Sequence, residues 1–149
     1  ALGIAPMLEG FLLDRFRLPQ PRLNLGASLV GLASAAMDIS DGLVADLRHL
    51  CDASEVGAEL EAASLPLSEG AKAALAVDPN RLALVLGGGD DYELLFTAPD
   101  SAAREIAGAA AAADVPATPI GRIVAGQGVR VRDPKGAELA VGVAGYAHF

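Results

Sequence analysis

Tryptophan is absent from the 149-residue chain and aromatic residues make up only 4% of it, so a core has to be built from alanine, leucine, valine and isoleucine. Cysteine occurs once, at Cys51, which excludes an internal disulfide and fits a reducing, cytoplasmic setting. Lysine occurs only at Lys72 and Lys135. Neither follows a glycine loop, so there is no P-loop, and the G-x-G-x-x-G dinucleotide fingerprint is missing as well. Positive charge is scarce: 11 Lys and Arg against 19 Asp and Glu give a net charge of −8. Such a chain repels a bare phosphate backbone, which argues against nucleic acid as a partner. A phosphorylated ligand would need a metal to bridge it to this protein. Long apolar runs are lacking too, since residues 28–37, the longest, are too few to cross a bilayer. No basic stretch leads into an apolar one as an export signal would require. What the chain has in quantity is apolar residues, 52%, with a mean hydropathy of +0.40. That excludes a disordered tail, and the length suits one domain with a real core.

The opening residues Leu2, Met7, Leu8, Phe11 and Leu12 follow helical spacing with no cap before them and no initiating Met. The expectation is therefore the carboxy-terminal piece of a longer protein. Pro19 and Pro21 forbid helix continuation and set an extended connector. Residues 26–31 lead as a small-residue helix or turn into a short buried strand over 34–39. Ser40 is placed to cap a helix over 41–53, with Leu43, Leu47 and Leu50 on one face. Residues 58–61 alternate apolar and acidic, as a half-exposed strand does. A loop over 65–68 precedes a helix over 69–76. Asp78 and Pro79 start another helix. Residues 82–86 either continue it or form a buried strand, and Gly87, Gly88 and Gly89 end it. A strand over 92–97, a helix over 101–113 and strands over 120–124 and 129–132 follow. The last two read as a hairpin across Gly126 and Gly128. Alternating strands and helices make one α/β or α+β domain.

The sharpest chemical feature is the run Met37-Asp38-Ile39-Ser40-Asp41-Gly42. In an extended segment Asp38 and Ser40 share a face while Ile39 points to the core, and Asp41 falls in the first turn of the next helix. Two carboxylates and a hydroxyl at one strand-to-helix junction suit magnesium. The alternative is a plain helix start, with Ser40 as cap and Asp41 complementing the dipole. Asp38 favours a metal, because an acid ending a buried strand is costly without a partner. The second feature is Gly87-Gly88-Gly89-Asp90-Asp91-Tyr92-Glu93, which reads as a backbone-close, cation-binding loop or as a helix end followed by a solvated turn. His49 falls on the polar side of the 41–53 helix and reads as a surface residue, His148 has no visible partner, and Cys51 reads as a small core residue.

Taken together, these runs resemble thiamine-monophosphate kinase, of the aminoimidazole ribonucleotide synthetase superfamily. D-I-S-D-G-L stands at 38–43, A-D-L at 45–47, L-P-L-S at 65–68 and G-G-D-D-Y-E-L at 88–94. I-G-R-I follows at 120–123 and G-Y-A-H-F at 145–149, with the P-x-P-R connector at 19–22. The resemblance implies a three-layer α/β/α-type carboxy-terminal domain with a mixed sheet. Residues 1–22 would be its opening helix and connector and 23–149 its body. It would pack on an amino-terminal ATP-binding domain that this chain does not include.

The implied activity is Mg2+-dependent transfer of the ATP γ-phosphoryl group to thiamine phosphate, giving thiamine diphosphate. By similarity Asp38 and Asp41 bind magnesium, Ser40 contacts ATP, and Asp90 and Tyr146 contact thiamine phosphate. Asp90 stands where the family often has glutamate, and Ala147 replaces a frequent acid. Members commonly dimerise, a contact expected largely through the amino-terminal domain. The competing readings are another ATP-dependent synthetase of the superfamily and a non-catalytic binding or assembly module with the same fold.

Overall fold

The computed structural model describes residues 3–133 and 135–140. Helix α1 (Pro6–Arg17) begins on a proline, whose missing N–H is not needed in a first turn, and ends just before Pro19. The short α2 (Leu23–Ser28) buries Leu25 and leads to strand β1 (Ala35–Asp38). Helix α3 (Leu43–Ala53) is the central element, with Leu43, Val44, Leu47, Leu50 and Cys51 all buried. At roughly 1.5–3 kcal/mol for each large apolar side chain, this face fixes the helix firmly. Strand β2 (Gly57–Glu61) follows, then α4 (Glu69–Val77), capped by the Ser68 hydroxyl, which accepts from the Ala71 N–H at 3.1 Å. Buried Gly70 lets α4 lie directly on Leu8 and Leu12 of α1.

Residues 82–86 are helical, within α5 (Leu82–Gly87). The Asp78 side chain caps the turn leading in, accepting from the Asn80 N–H at 3.1 Å. Strand β3 (Leu94–Thr97) precedes α6 (Ala103–Ala112), and the chain continues through β4 (Gly121–Val124), β5 (Gly128–Arg132) and β6 (Glu138–Leu139).

β1 pairs antiparallel with β3, Asp38 lying opposite Leu94. Helices cover both faces of this pair. Leu95 joins the α3 and α5 core, while Leu94 and Phe96 pack against Leu25, Leu29, Ile106 and Ala110 of the α2 and α6 side. The second sheet runs β4-β2-β5-β6 and is mixed, β2 being antiparallel to β4 and parallel to β5. The expected α/β/α layering with a mixed sheet is present.

Two local expectations are corrected. β4 and β5 do not form a hairpin, because β2 lies between them. The glycine-bearing link crosses the end of β2, where Gly57 has no side chain to obstruct the Gly128 carbonyl. Nor is β2 half-exposed, since Gly57, Ala58, Glu59 and Leu60 are all buried. Ala58 and Leu60 enter the core. Glu59 is covered by Arg122 at 2.5 Å, Arg132 at 2.7 Å and Arg130 at 3.7 Å.

Candidate functional site

The two acidic runs meet backbone to backbone, extending the β1–β3 pairing past its last regular residues. The Ile39 N–H donates to the Glu93 carbonyl at 2.9 Å, the Tyr92 N–H to the Ile39 carbonyl at 2.8 Å, and the Asp90 N–H to the Ser40 carbonyl at 2.9 Å. Such closeness requires glycine on both sides. A Cβ on Gly89 would collide with the Ser40 carbonyl oxygen. One on Gly42, at φ +116°, would lie 2.8 Å from the Gly87 carbonyl. The loop is bent further by Asp90 and Tyr92, both at positive φ (64° and 50°), an uncommon state for residues with side chains that concentrates at functional sites.

The structure brings together Asp38, Ser40, Asp41 and Asp90 along this junction. Met37 and Ile39 pack on the core and Asp38 is exposed, so the alternation expected from sequence is present. The strand itself is not fully buried, however, and the cost argument that favours a metal at Asp38 falls away. Asp38 instead borders an open cleft of about 460 Å³ lined also by Arg22, Leu23, Tyr92, Glu93 and Leu94. Tyr92 Oη donates to Asp90 Oδ1 at 3.2 Å. That bond, with the negative charge of Asp90 and more distantly Asp38, pushes the phenol above its usual range. Loss of water at the Asp91 carboxyl, reinforced by Glu93 and Asp90, pushes that acid up as well. The rim is thus crowded with negative charge and suited to cations.

The expected cap is also corrected. Ser40 does not cap α3 and Asp41 lies outside its first turn, since the helix starts at Leu43 with Gly42 before it. Gly42 offers α3 no side-chain cap, and the turn before the helix is held instead from within it by Asp46, 2% exposed. Its Oδ2 accepts from the N–H groups of Ser40, Asp41 and Gly42 at 2.9, 3.0 and 3.2 Å. A carboxylate reaching back over three donors is more strongly bound than a serine hydroxyl with one. Sequence reasoning meets Asp46 only within the A-D-L run and misses this role; its signal is an acid four positions after Gly42.

Glu93, in sequence only the last member of an acidic run, has a second task. It accepts from Arg22 Nε at 2.7 Å and from Arg22 and Arg15 terminal nitrogens at 2.6 and 2.8 Å, tying α1 and the proline connector to the site. Tyr146 and the terminal G-Y-A-H-F run lie outside the described residues. Among the described residues no three His, Cys, Asp or Glu side chains form a ready metal cage, and no helix is long and apolar enough to cross a membrane.

A family model, AIR synthase related protein, C-terminal domain, matches residues 13–134. The thiamine-monophosphate kinase of Caulobacter vibrioides is 41% identical over 125 residues, covering 81% of this chain and 35% of that protein. Among solved structures, thiamine-monophosphate kinase from Stenotrophomonas maltophilia K279a is 43% identical with a TM-score of 0.73, over 88% of this chain and 42% of that one. AaThiL complexed with AMPPCP and TMP is 34% identical with a TM-score of 0.78, over 99% and 44%. The chain spans less than half the length of these relatives. With the family model covering residues 13–134 and the two glycine-locked acidic runs inside that span, the chain belongs to the AIR synthase related protein family, as its C-terminal domain.

Proposed function

We propose that this chain is the carboxy-terminal domain of a thiamine-phosphate kinase, which transfers the γ-phosphoryl group of ATP to thiamine phosphate to give thiamine diphosphate. The observation that carries the reading is the interlocking of residues 38–42 with 89–93 beside the cleft, in a chain 41% and 43% identical to two thiamine-monophosphate kinases. The complex of AaThiL with AMPPCP, an ATP analogue, and TMP supports the choice of both reactants.

Phosphoryl transfer asks a protein for positioning and charge neutralisation more than for covalent chemistry. Donor and acceptor are both anionic, and magnesium, when bound, supplies the neutralisation and polarises the transferring group. The residues fit that ion. Asp38 and Asp41 offer hard carboxylate oxygens in small number, and magnesium commonly keeps waters and binds through one or two carboxylates plus substrate phosphates rather than in a protein cage.

In this reading Asp38 and Asp41 hold the metal and Ser40 contacts ATP through its hydroxyl. Asp90 contacts thiamine phosphate, its carboxylate oriented by Tyr92 Oη, and Tyr146 is the second substrate contact. No general base is assigned, because the acceptor phosphate oxygen is already ionised near neutral pH. Most ATP contacts fall to an amino-terminal domain. Exposed Met7, Phe11, Phe16 and Leu18 offer it an apolar face. A cytoplasmic location and a homodimer formed largely through that domain complete the proposal.

The test is thiamine diphosphate formation by the full-length polypeptide given ATP, Mg2+ and thiamine phosphate. Product is expected, and Asp38→Asn is expected to abolish it. A folded full-length protein that makes none overturns the reading. Substantial turnover by the 149-residue chain alone overturns the division of labour between domains.

A further inference from the structure

Asp46 has no task in the reaction just proposed, yet its carboxylate is buried against the turn that carries Ser40 and Asp41. Three successive backbone N–H groups ahead of a helix form a concave donor set of the kind that seats phosphate. Here all three point at Asp46 Oδ2, within 2.9–3.2 Å. We propose that Asp46 is a positioning residue that fills this nest with the chain's own anion. The turn then refuses free phosphate, and its charge favours a cation.

The geometry sets the sign of the junction. Without the internal carboxylate, three uncompensated N–H groups would draw the phosphate of a reactant onto the turn. With it, the same turn attracts a divalent cation, and phosphate reaches the turn only through that cation. α3 is anchored by its buried leucines, which fixes the backbone from which Asp46 reaches the turn. Its hold on the turn also orients the Ser40 carbonyl toward the Asp90 N–H, linking the two acidic runs. The cation half of this inference rests on the metal reading above; the refusal of phosphate does not.

A plain helix cap and a nest-filling positioning residue differ in what ion binding does when Asp46 is changed. Asp46→Asn removes the charge and leaves the three N–H groups only a neutral amide oxygen, too weak an acceptor to compensate all of them. Full-length wild type, Asp46→Asn and Asp38→Asn are titrated with Mn2+ alone and, separately, with inorganic phosphate alone, by calorimetry. For Asp46→Asn the expectation is Mn2+ binding weakened about tenfold, the usual scale for a residue that supports metal ligands, together with phosphate binding beyond whatever wild type shows.

A folded Asp46→Asn protein that gains no phosphate binding over wild type, or that keeps wild-type Mn2+ affinity, overturns the proposal, whatever its loss of stability. If Asp38→Asn leaves Mn2+ affinity intact, the metal reading fails instead, and the phosphate titration alone decides whether Asp46 fills an anion nest. If Asp46→Asn does not fold, Asp46→Glu decides. It keeps the charge but displaces the acceptor, so it is expected to refuse phosphate and yet bind Mn2+ more weakly. Unchanged Mn2+ affinity in that variant overturns the proposal.

Discussion

Adding a single methyl group at two glycines is expected to move stability in opposite directions. At Gly89 the new Cβ would overlap the Ser40 carbonyl oxygen and approach the Asp41 carbonyl carbon to 3.3 Å. Both obstacles are backbone, and that backbone is pinned by Asp46 and by the Asp90 N–H. No rotamer change can make room. Relief requires the two acidic runs to part, which breaks the Asp90–Ser40 hydrogen bond, about 1 kcal/mol. Residual overpacking adds about 1–3 kcal/mol. Gly89→Ala is therefore expected to cost about 2–4 kcal/mol in all.

Gly108 sits exposed inside α6, and a methyl group added there would meet nothing within 4 Å. The dominant effect is then the reduced freedom of the unfolded chain, and Gly108→Ala is expected to stabilise by about 0.5–1 kcal/mol. Urea unfolding midpoints of the two variants, measured in the same polypeptide, give the comparison. A Gly89→Ala protein within about 0.5 kcal/mol of wild type, on the scale of an ordinary surface change, refutes the close-approach argument. A destabilised Gly108→Ala protein refutes the unfolded-chain argument at that site.

Three other outcomes follow from the side-chain network. The hydrogen bond from Arg132, then that from Arg122, holds the Glu59 carboxyl below the usual glutamate range. Its folded value lies below its unfolded one, so its contribution is full above the usual range and is lost as pH falls through the folded value. Stability measured against pH should consequently be flatter on the acid side for Glu59→Gln than for wild type, and parallel curves refute this. Arg22→Lys loses the two-pronged grip on Glu93 and is expected to lower stability by about 1 kcal/mol, a modest figure because the pair is partly exposed. An unchanged melting temperature shows that water already screens the pair. Cys51 is fully buried, and that burial, with the charge of Asp52, pushes its thiol up. Disulfide reagents should label it only as fast as the protein opens, and prompt labelling of the folded protein refutes its placement.

The elements are legible where local chemistry alone decides them: Pro19 and Pro21 end α1, Ser68 caps α4 and Gly87–Gly89 terminate α5. The two acidic runs are legible as candidates too, because composition and order name them, and the structure sets them side by side. What stays hidden depends on partners distant in sequence. Nothing near Val124 or Gly128 says that β2 will slip between their strands. The acid at Glu59 looks solvent-facing until arginines from β4 and β5 cover it. Ser40 has the right chemistry for a cap, but the helix starts three residues later, at Leu43, and the Ser40 N–H is itself held by the Asp46 carboxylate from one helical turn into α3.

The pairing of residues 38–42 with 89–93 also bears on how the site comes into being. About fifty residues separate the two runs, and closing so large a loop comes late relative to local helix formation. Until Asp90, Tyr92 and Glu93 have been synthesised and docked, Ile39 and the Ser40 carbonyl lack their partners in the second run, and only the Asp46 carboxylate holds the Ser40 N–H. The acidic rim is therefore absent from a nascent or partly unfolded chain and present only in the finished one, so its assembly reports completion of folding across α3, β2, α4 and α5 together.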